Sequence, residues 1–146
     1  MIGNEINFFN EEINFTLPQK GRSRDWIKEI FRRENRKDGV INFVFCSDSF
    51  LLGINRKYLS HNTFTDVITF DLSNDKRHIN ADIYISIERI KENSKTFKSS
   101  FKSELYRVMC HGILHLIGYN DKSPDEAFLI REREDFYLSL LPKFIR

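Results

Sequence analysis

The chain has 146 residues, of which 40% are hydrophobic and 14% aromatic, and its formal net charge at pH 7 is +2. This length predicts one domain covering residues 1–146, and the composition excludes a largely disordered or repetitive chain. The opening stretch "MIGNEINFF" lacks the pattern of a secretory signal, and no run of about 18 apolar residues follows it. We therefore expect a cytoplasmic protein that does not contact membranes.

Four short runs rich in aromatic and β-branched residues predict strands. They cover residues 5–10, 40–47, 66–72 and 81–87, and the polar segment 73–80 predicts a turn between the last two. Helices are expected between and after these strands. The pattern is typical of an α+β fold, a single domain with one roughly four-stranded mixed sheet covered by helices.

The first helix is expected between the first two strands. Ser23 could cap it, and Trp26 opens a run of apolar residues at helical spacing. The opposite face is basic, because residues 20–37 hold eight Lys or Arg against three acidic residues. Arg32 and Arg36 lie on this basic face. Basic faces attract phosphate, but most are simply solvated, so the pattern alone leaves nucleic-acid binding open.

Three further helices are predicted before the C-terminal one. The first covers residues 48–59 and is followed by the polar loop "SHNTFT". A basic helix is expected near 87–96 and a longer one at about 100–117. Gly118 ends the longer helix, because glycine tolerates the left-handed conformation that is common just beyond helix ends.

The C-terminal helix begins at "SPDE", which is a strong helix-start signal. Ser123 can act as the N-terminal cap, Pro124 occupies the first helical position, and Glu126 can complete a capping box.

The segment "CHGILHLIGYND" places two histidines four residues apart on the longer helix. His111 and His115 leave the same helix face, and the break at Gly118 lets the chain return Asp121 toward them. The spacing matches the H-E-x-x-H-x-x-G-x-x-H motif of metzincin peptidases, except that Gly112 replaces the catalytic Glu and Asp121 replaces the last His. We therefore predict one divalent metal ion held by His111, His115 and Asp121 on a metzincin-like metal helix.

Other interpretations of this segment stay open at this point. The histidines could be satisfied in the core or exposed, and Cys110 is a weaker candidate ligand, since one residue rotates it about 100° from His111. Cys46 and Cys110 fit reduced, buried thiols. Gly112 costs about 1 kcal/mol inside a helix and indicates close approach of either a packed neighbour or a substrate. Three ligands with an open position are typical of a catalytic site, in which water bound to the metal is the reactive group.

Three blocks of the sequence resemble a known family, the YbeY endoribonucleases, also called rRNA maturation factors. The family signature H-G-x-L-H-L-x-G-Y-D-H is similar to "HGILHLIGYND". The family blocks L-N-x-x-Y-R and T-D-V-L-S-F are similar to "INRKYLSHNTFTDVITF", and G-D-I-x-I-S is similar to "ADIYIS". Together the three blocks span roughly residues 52–121.

The resemblance implies a metal-dependent endoribonuclease that prefers single-stranded RNA and acts in ribosomal RNA maturation and ribosome quality control. The implied partners are ribosomal RNA and the ribosomal subunit or its assembly factors, with no DNA. Zinc is the usual metal of the family. By position, the resemblance assigns the ligand role to His111, His115 and Asp121. It places four more residues beside the site: Asn55, Tyr58, Thr65 and Asp66.

The sequence departs from the family pattern at three positions. Asp121 stands for a His, Asn120 for an Asp, and Leu59 for an Arg. Leu59 removes the obvious clamp for phosphate charge, so another cation would have to contact the substrate. The candidates, each of which could equally be solvated surface, are Arg56, Lys57, Arg32 and Arg36.

Asp121 changes the expected chemistry in a direction that can be argued. A carboxylate in place of a neutral imidazole lowers the formal charge of the site by one, which should leave bound water less acidic and attract phosphate less strongly. It also makes the site harder, so that manganese, iron and nickel become alternatives to zinc. We expect an Asp121→His variant to move the pH optimum of the metal-loaded enzyme downward.

The general base and the base-stacking residues are open from sequence. Asp66 or Glu104 could assist the water, although strand capping and surface solvation are their expected ordinary roles. Tyr58 and Phe64 could stack on an unpaired base, although core packing is the expected role of both.

Two rival functions follow from the same residues. One is a non-catalytic RNA- or ribosome-binding assembly factor with a structural metal, which Leu59 favours. The other is a metzincin-like peptidase, which Gly112 argues against because the usual base is absent.

Overall fold

The computed structural model describes residues 5–75 and 77–145. The described elements are, in chain order, β1 Glu5–Glu11, α1 Lys20–Arg33, β2 Lys37–Cys46, α2 Asp48–Leu59, β3 Val67–Asp71, β4 His78–Ser86, α3 Ile87–Thr96, α4 Phe101–Ile117, α5 Pro124–Leu140 and a 3-10 turn Leu141–Lys143. Residues 1–4, Lys76 and Arg146 lie outside the described residues. Both ends of the predicted domain therefore lie outside the described residues. The same is true of the start of the stretch "MIGNEINFF" and of Lys76 in the predicted turn.

The described strands form one sheet in the order β1-β2-β4-β3. β1 and β4 both run parallel to β2, whereas β3 runs antiparallel to β4. Phe43 on β2 pairs with Phe8 and Ile83, and Ile83 pairs with Thr69 on β3. The predicted α+β fold with a four-stranded mixed sheet is confirmed.

The main core lies between one face of the sheet and helices α1, α3 and α4, with α5 packed against α4. Alternate strand residues such as Phe43, Phe45 and Ile83 point into it and are fully buried. Each such side chain contributes roughly 1.5–3 kcal/mol through burial. A smaller cluster around Leu51 and Ile68 packs α2 against the opposite face. The sheet therefore separates α2 from α4 except near one end of β3.

Two strands begin earlier than predicted. β2 begins at Lys37 and β4 at His78, each three residues before the apolar runs that predicted them. Lys37 and His78 pair with each other at the rim of the sheet, where polar residues are tolerated. A pattern based on apolar residues misses such strand ends.

The prediction that Ser23 caps the first helix was wrong. α1 begins at Lys20, after Gln19, whose φ of 51° is in the left-handed region. Ser23 therefore lies in the first turn, and its hydroxyl oxygen is 2.7 Å from the Tyr106 hydroxyl oxygen in the core. A serine hydroxyl can satisfy a helix end or a tertiary partner equally well, so the sequence did not distinguish the two.

The two helices that flank the candidate metal segment follow their sequence signals. Ser100 caps α4, and Gly118 ends it with a φ of 125°. Ser123 and Glu126 form the predicted capping box at the start of α5. These local signals fix the ends of the short connection between the two helices.

The two cysteines match expectation. Cys46 and Cys110 are both free and buried. Within residues 5–75 and 77–145, no helix is long and apolar enough to cross a membrane.

Candidate metal centre

Three potential ligand atoms converge beside the C-terminal end of α4. The Nε2 atoms of His111 and His115 lie 3.5 Å and 3.4 Å from the same oxygen, Oδ2 of Asp121. One ligand atom from each residue lies within 4.8 Å of the others. Two imidazole nitrogens and one carboxylate oxygen are a donor set that zinc and other divalent transition metals accept. The predicted set therefore fits a single divalent ion.

The turn after α4 brings Asp121 back to the histidines. The Gly118 and Tyr119 amides donate to the Leu114 carbonyl at 3.1 Å and 3.0 Å, which closes the helix end. The Tyr119 hydroxyl donates to Glu34 at 2.8 Å, which ties the turn to the end of α1. Asp121 is thus held by a turn that is anchored on both sides.

Glu134 on α5 contacts the candidate ligand His111, and the sequence analysis missed it. Its carboxylate accepts a hydrogen bond from His111 Nδ1 at 2.6 Å, and it is buried. Its other oxygen accepts from Arg107 at 3.0 Å. This contact fixes the His111 ring and leaves Nε2 free to face a metal ion, as in carboxylate–histidine–metal arrangements. A signal existed in the sequence, because Glu134 lies at helical spacing between the buried Ile130 and Tyr137.

The carboxylates around His111 make this part of the molecule electronegative. Burial on its own would lower the pKa of His111, but the hydrogen bond and charge of Glu134, together with the charges of Asp121 and Asp66, raise it overall. Burial raises the pKa of Asp66. A surplus of negative charge around two histidines favours a bound cation.

A cavity of about 490 Å³ opens directly onto the three candidate ligands. The α2–β3 connection and β3 form its opposite wall. The lining residues are Asn55, Leu59, His61, Thr63, Thr65, Asp66, Val67, Ile68, Thr69, His111, His115 and Asp121. None of these described lining residues is Lys or Arg. A substrate bound at the ligands would therefore also contact the α2–β3 connection.

Several residues of the second sequence block reach this cavity as predicted by position. Asn55, Thr65 and Asp66 all line it. Asn55 is buried and its side-chain amide donates to the Thr63 carbonyl at 2.8 Å, so it also holds the loop in place.

The cationic residues of α2 lie outside the cavity lining. Arg56 donates to the Asn62 side chain at 2.5 Å. The Lys57 ammonium lies 5.3 Å from the centre of the Tyr58 ring, and both residues line a different surface pocket. Their predicted contact with RNA stays a prediction.

The two arginines of the predicted basic face also lie outside the lining of the cavity. Arg32 pairs with Glu29 on the exposed side of α1. Arg36 lines a separate pocket of about 400 Å³ beside Tyr119 and Glu126. Neither arginine therefore lines the cavity of the candidate ligands, although the pocket of Arg36 includes Asn120, the chain neighbour of Asp121.

The solvent exposure of three residues, Tyr58, Phe64 and Glu104, differs from what their expected roles require. Tyr58, near the end of α2, and Phe64, in the α2–β3 connection, are 59% and 54% exposed rather than packed in the core. Glu104 is buried on α4 rather than solvated, and burial, followed by the charge of Asp66, raises its pKa. Asp66 lines the cavity, and its side chain accepts a hydrogen bond from Asn93 at 3.2 Å.

The structure explains the glycine between the two histidines. A Cβ atom at Gly112 would lie 3.2 Å from Ile83 Cγ2 and 3.3 Å from Thr69 Cγ2. These contacts support the packing alternative, in which α4 lies unusually close to the sheet. Cys110 is fully buried, and burial raises its thiol pKa well above the usual range, so it does not join the three donors.

Comparison with known proteins gives consistent matches over most of the chain. The sequence model of the family described as Endoribonuclease YbeY matches residues 5–142. The protein named Endoribonuclease YbeY of Flavobacterium psychrophilum is 48% identical over 133 residues, which cover 90% of this chain and 94% of that protein. The protein of the same name from Amoebophilus asiaticus is 47% identical and covers 91% of this chain and 90% of its own length.

A solved structure shows the same fold. The solution structure of TM1509 from Thermotoga maritima superposes with a TM-score of 0.69 and covers 94% of this chain and 89% of that one. Its sequence identity is 24%, so this likeness concerns the fold alone.

Proposed function

The chain belongs to the YbeY endoribonuclease family, and from this premise we propose how its site cleaves RNA. It is an endoribonuclease, a hydrolase that acts on RNA phosphodiester bonds. We assign it single-stranded regions of ribosomal RNA as substrate, a role in ribosomal RNA maturation, and a cytoplasmic location with ribosomal subunits or their assembly factors as partners. The observation that carries the proposal is the convergence of three ligand atoms on one point at the floor of an open cavity.

His111, His115 and Asp121 would hold one divalent ion, for which zinc is the first choice and manganese, iron and nickel are alternatives. When bound there, the ion supplies positive charge that stabilises developing negative charge on phosphoryl oxygens and makes water more acidic. Glu134 holds the His111 ring in the orientation that this arrangement needs.

We assign Asp66 the role of proton acceptor. It lines the cavity, and burial raises its pKa, which makes its carboxylate a stronger base than an exposed aspartate. We assign it the proton of the attacking water or 2′-hydroxyl. The new oxygen–phosphorus bond then forms as the bond to the leaving oxygen breaks, and solvent protonates the leaving group.

The wall opposite the ligands is suited to an unpaired strand. Asn55, Thr63 and Thr65 offer polar groups along it. Phe64 lies between the lining residues Thr63 and Thr65 and is exposed, and exposed aromatic rings stack on unpaired bases. These positions favour single-stranded RNA over a duplex, whose bases are already stacked.

A second candidate function has one observation in its favour. The described cavity lining lacks Lys and Arg, which weakens phosphate binding and fits a non-catalytic RNA- or ribosome-binding factor with a structural metal. Such a factor would bind RNA but leave it intact at every metal loading.

The deciding experiment measures cleavage of a single-stranded RNA by protein loaded with one defined metal. Wild type should cut, chelator should stop the reaction, and Asp121→Ala should lose at least 100-fold in rate, about the effect of removing a key catalytic group. Asn120→Ala is the matched control, since Asn120 is the exposed neighbour of Asp121. Folded, metal-loaded wild type that cuts no RNA would favour the assembly factor, and equal cutting by Asp121→Ala would refute the site.

A further inference from the structure

His61 lies in the polar loop between α2 and β3 and lines the same cavity as the three candidate ligands. Apart from His111 and His115, it is the one lining residue among those described that can carry a positive charge. Its ring is exposed, and no described residue makes a hydrogen bond or an ion pair to the imidazole. His61 is thus directed to the cavity with its ring nitrogens available.

The loop that carries His61 is held in place by its backbone. Ser60 ends α2 in a left-handed conformation with φ of 57°. The His61 amide then donates to the Asn55 carbonyl at 3.2 Å. The Asn55 side chain in turn holds the Thr63 carbonyl at 2.8 Å. Two anchors on the same buried residue therefore fix the backbone on both sides of His61.

The other charges that line the cavity leave an RNA phosphate without a cationic partner, and His61 can supply one. Asp66 and Asp121 line the cavity, and together two ionised carboxylates would offset the charge of one divalent ion. An RNA phosphodiester is anionic and binds more tightly where a cation contacts it. Lys and Arg are absent from the described lining, and Arg56 is occupied by Asn62. Among the described lining residues, a cationic contact must then come from a histidine.

On the basis of the proposed function, we propose that protonated His61 donates a hydrogen bond to a non-bridging oxygen of an RNA phosphate at the mouth of the cavity. It is a substrate-binding residue and takes no part in proton transfer. The charged and titratable groups that face it are Asp66 from the start of β3, His111 and His115 from α4, and Asp121 from the turn after α4.

Binding of an uncleavable RNA tests this role apart from catalysis. The probe is a fluorescent single-stranded oligonucleotide with 2′-O-methyl groups, titrated by anisotropy against metal-free protein in a slightly acidic buffer. His61→Ala and His61→Gln should bind about tenfold more weakly, the typical loss for a charge-assisted hydrogen bond. His61→Arg should bind as well as wild type.

Salt dependence gives a second, independent readout. One lost phosphate contact makes the slope of log affinity against log salt shallower by roughly 0.7 for a single strand. This change should occur in His61→Ala and be absent in His61→Arg. His78→Ala is the control, because His78 begins β4, whereas the cavity adjoins the last residues of β4 through Val67 and its partner Ile85.

The variants separate this inference from the function on which it rests. If wild type binds and cuts RNA but His61→Ala matches it in affinity and slope, the inference alone is overturned. The inference is also overturned if His61→Arg binds RNA as weakly as His61→Ala, because a positive charge at this position would then not restore RNA binding. If His78→Ala loses as much as His61→Ala, the effect is general to histidine charge and the assigned contact is refuted. Folded wild type that neither binds nor cuts RNA overturns both proposals.

Discussion

At the scale of single residues, Glu134 determines how His111 faces the cavity. Its carboxylate contacts His111 Nδ1 at 2.6 Å from a buried position on α5. Removing such a carboxylate partner of a ligating histidine typically costs 10- to 100-fold in metal affinity. The orientation of one ligand therefore depends on a helix that supplies no ligand itself.

We predict that Glu134→Gln weakens metal binding by about 10- to 100-fold while the protein stays folded. The amide keeps the shape of the side chain but loses the charge that favours the metal-binding orientation of His111. Competition with a fluorescent chelator measures the affinity. Asp135→Asn is the matched control, because Asp135 also pairs with Arg107 but does not contact His111. Equal losses in both variants would show that Arg107, not His111, carries the effect.

The ligands could be predicted from the sequence, whereas their supporting residues could not. The proximity of His111 and His115 follows from helix geometry, and that of Asp121 follows from the short turn after the helix. Glu134 and His61 reach the site only through the packing of α5 on α4 and through the path of the α2–β3 loop. The helical spacing of Glu134 with Ile130 and Tyr137 indicates that it is buried, but long-range packing leaves no spacing in the sequence that pairs it with His111.

At the scale of elements, the contact between α4 and the sheet depends on Gly112. The ideal Cβ distances of 3.2 Å to Ile83 and 3.3 Å to Thr69 leave no room for a methyl group without a shift of the neighbours. Thr69 also lines the cavity, so such a shift would move the cavity wall relative to His111.

We predict that Gly112→Ala lowers the free energy of unfolding by about 1 kcal/mol. Overpacking costs about 1–3 kcal/mol, and the better helix propensity of alanine offsets roughly 1 kcal/mol of it. Gly53→Ala is the control, since Gly53 lies inside α2 with nothing within 4 Å of an added Cβ, and it should gain stability. Denaturant midpoints measure both variants. A stabilised Gly112→Ala would show that the sheet yields without cost.

At this scale, an element could be predicted from the sequence when its signal involves only neighbouring residues. The α5 start could be predicted because its capping box involves only Ser123 and Glu126. The start of α1 could not, because Ser23 is used by Tyr106 across the core instead of by its own helix. The polar ends of β2 and β4 were missed because their pairing, not their hydrophobicity, makes them strands.

At the scale of the whole molecule, Glu34 joins three parts of the chain. From the end of α1, its carboxylate accepts hydrogen bonds from Tyr119 in the ligand turn and from Arg133 and Tyr137 on α5. Burial alone would raise the pKa of Glu34, but the hydrogen bonds from Tyr137, Arg133 and Tyr119 lower it overall. A carboxyl with a lowered pKa in the folded state stabilises the protein only where it is ionised.

We predict that Glu34→Gln destabilises the protein by about 1–3 kcal/mol near pH 7, since it weakens charged hydrogen bonds in a buried group. The difference from wild type should persist above the unfolded pKa of about 4.3 and vanish as pH falls through the lower folded pKa. Urea unfolding at several pH values measures it. Glu132→Gln, at an exposed position on α5, is the control and should change little. A difference that stays constant at acidic pH would contradict the ionised role.

Metal binding should also stabilise the whole fold. An ion that binds only the folded state at 100 times its Kd adds about 2.7 kcal/mol. For a chain of this size the melting temperature should then rise by roughly 5–10 °C. Asp121→Ala should melt at the same temperature with and without metal. Differential scanning calorimetry of chelator-treated protein, before and after adding zinc, makes the comparison, and an equal rise in both proteins would place the ion elsewhere.

The labelling rates of the two buried cysteines can report how often their parts of the structure open. Thiolate, not thiol, reacts with alkylating reagents, and burial raises the pKa of Cys46 to about 12 and that of Cys110 well above its usual range. Each thiol is therefore labelled only when its own element opens: β2 for Cys46 and the metal-binding helix for Cys110. Equal labelling rates would mean that the chain opens as one unit. Faster labelling of Cys110 than of Cys46, slowed by added metal, would show that the helix around His111 opens independently of the rest of the chain. It would also show that the bound ion suppresses this opening.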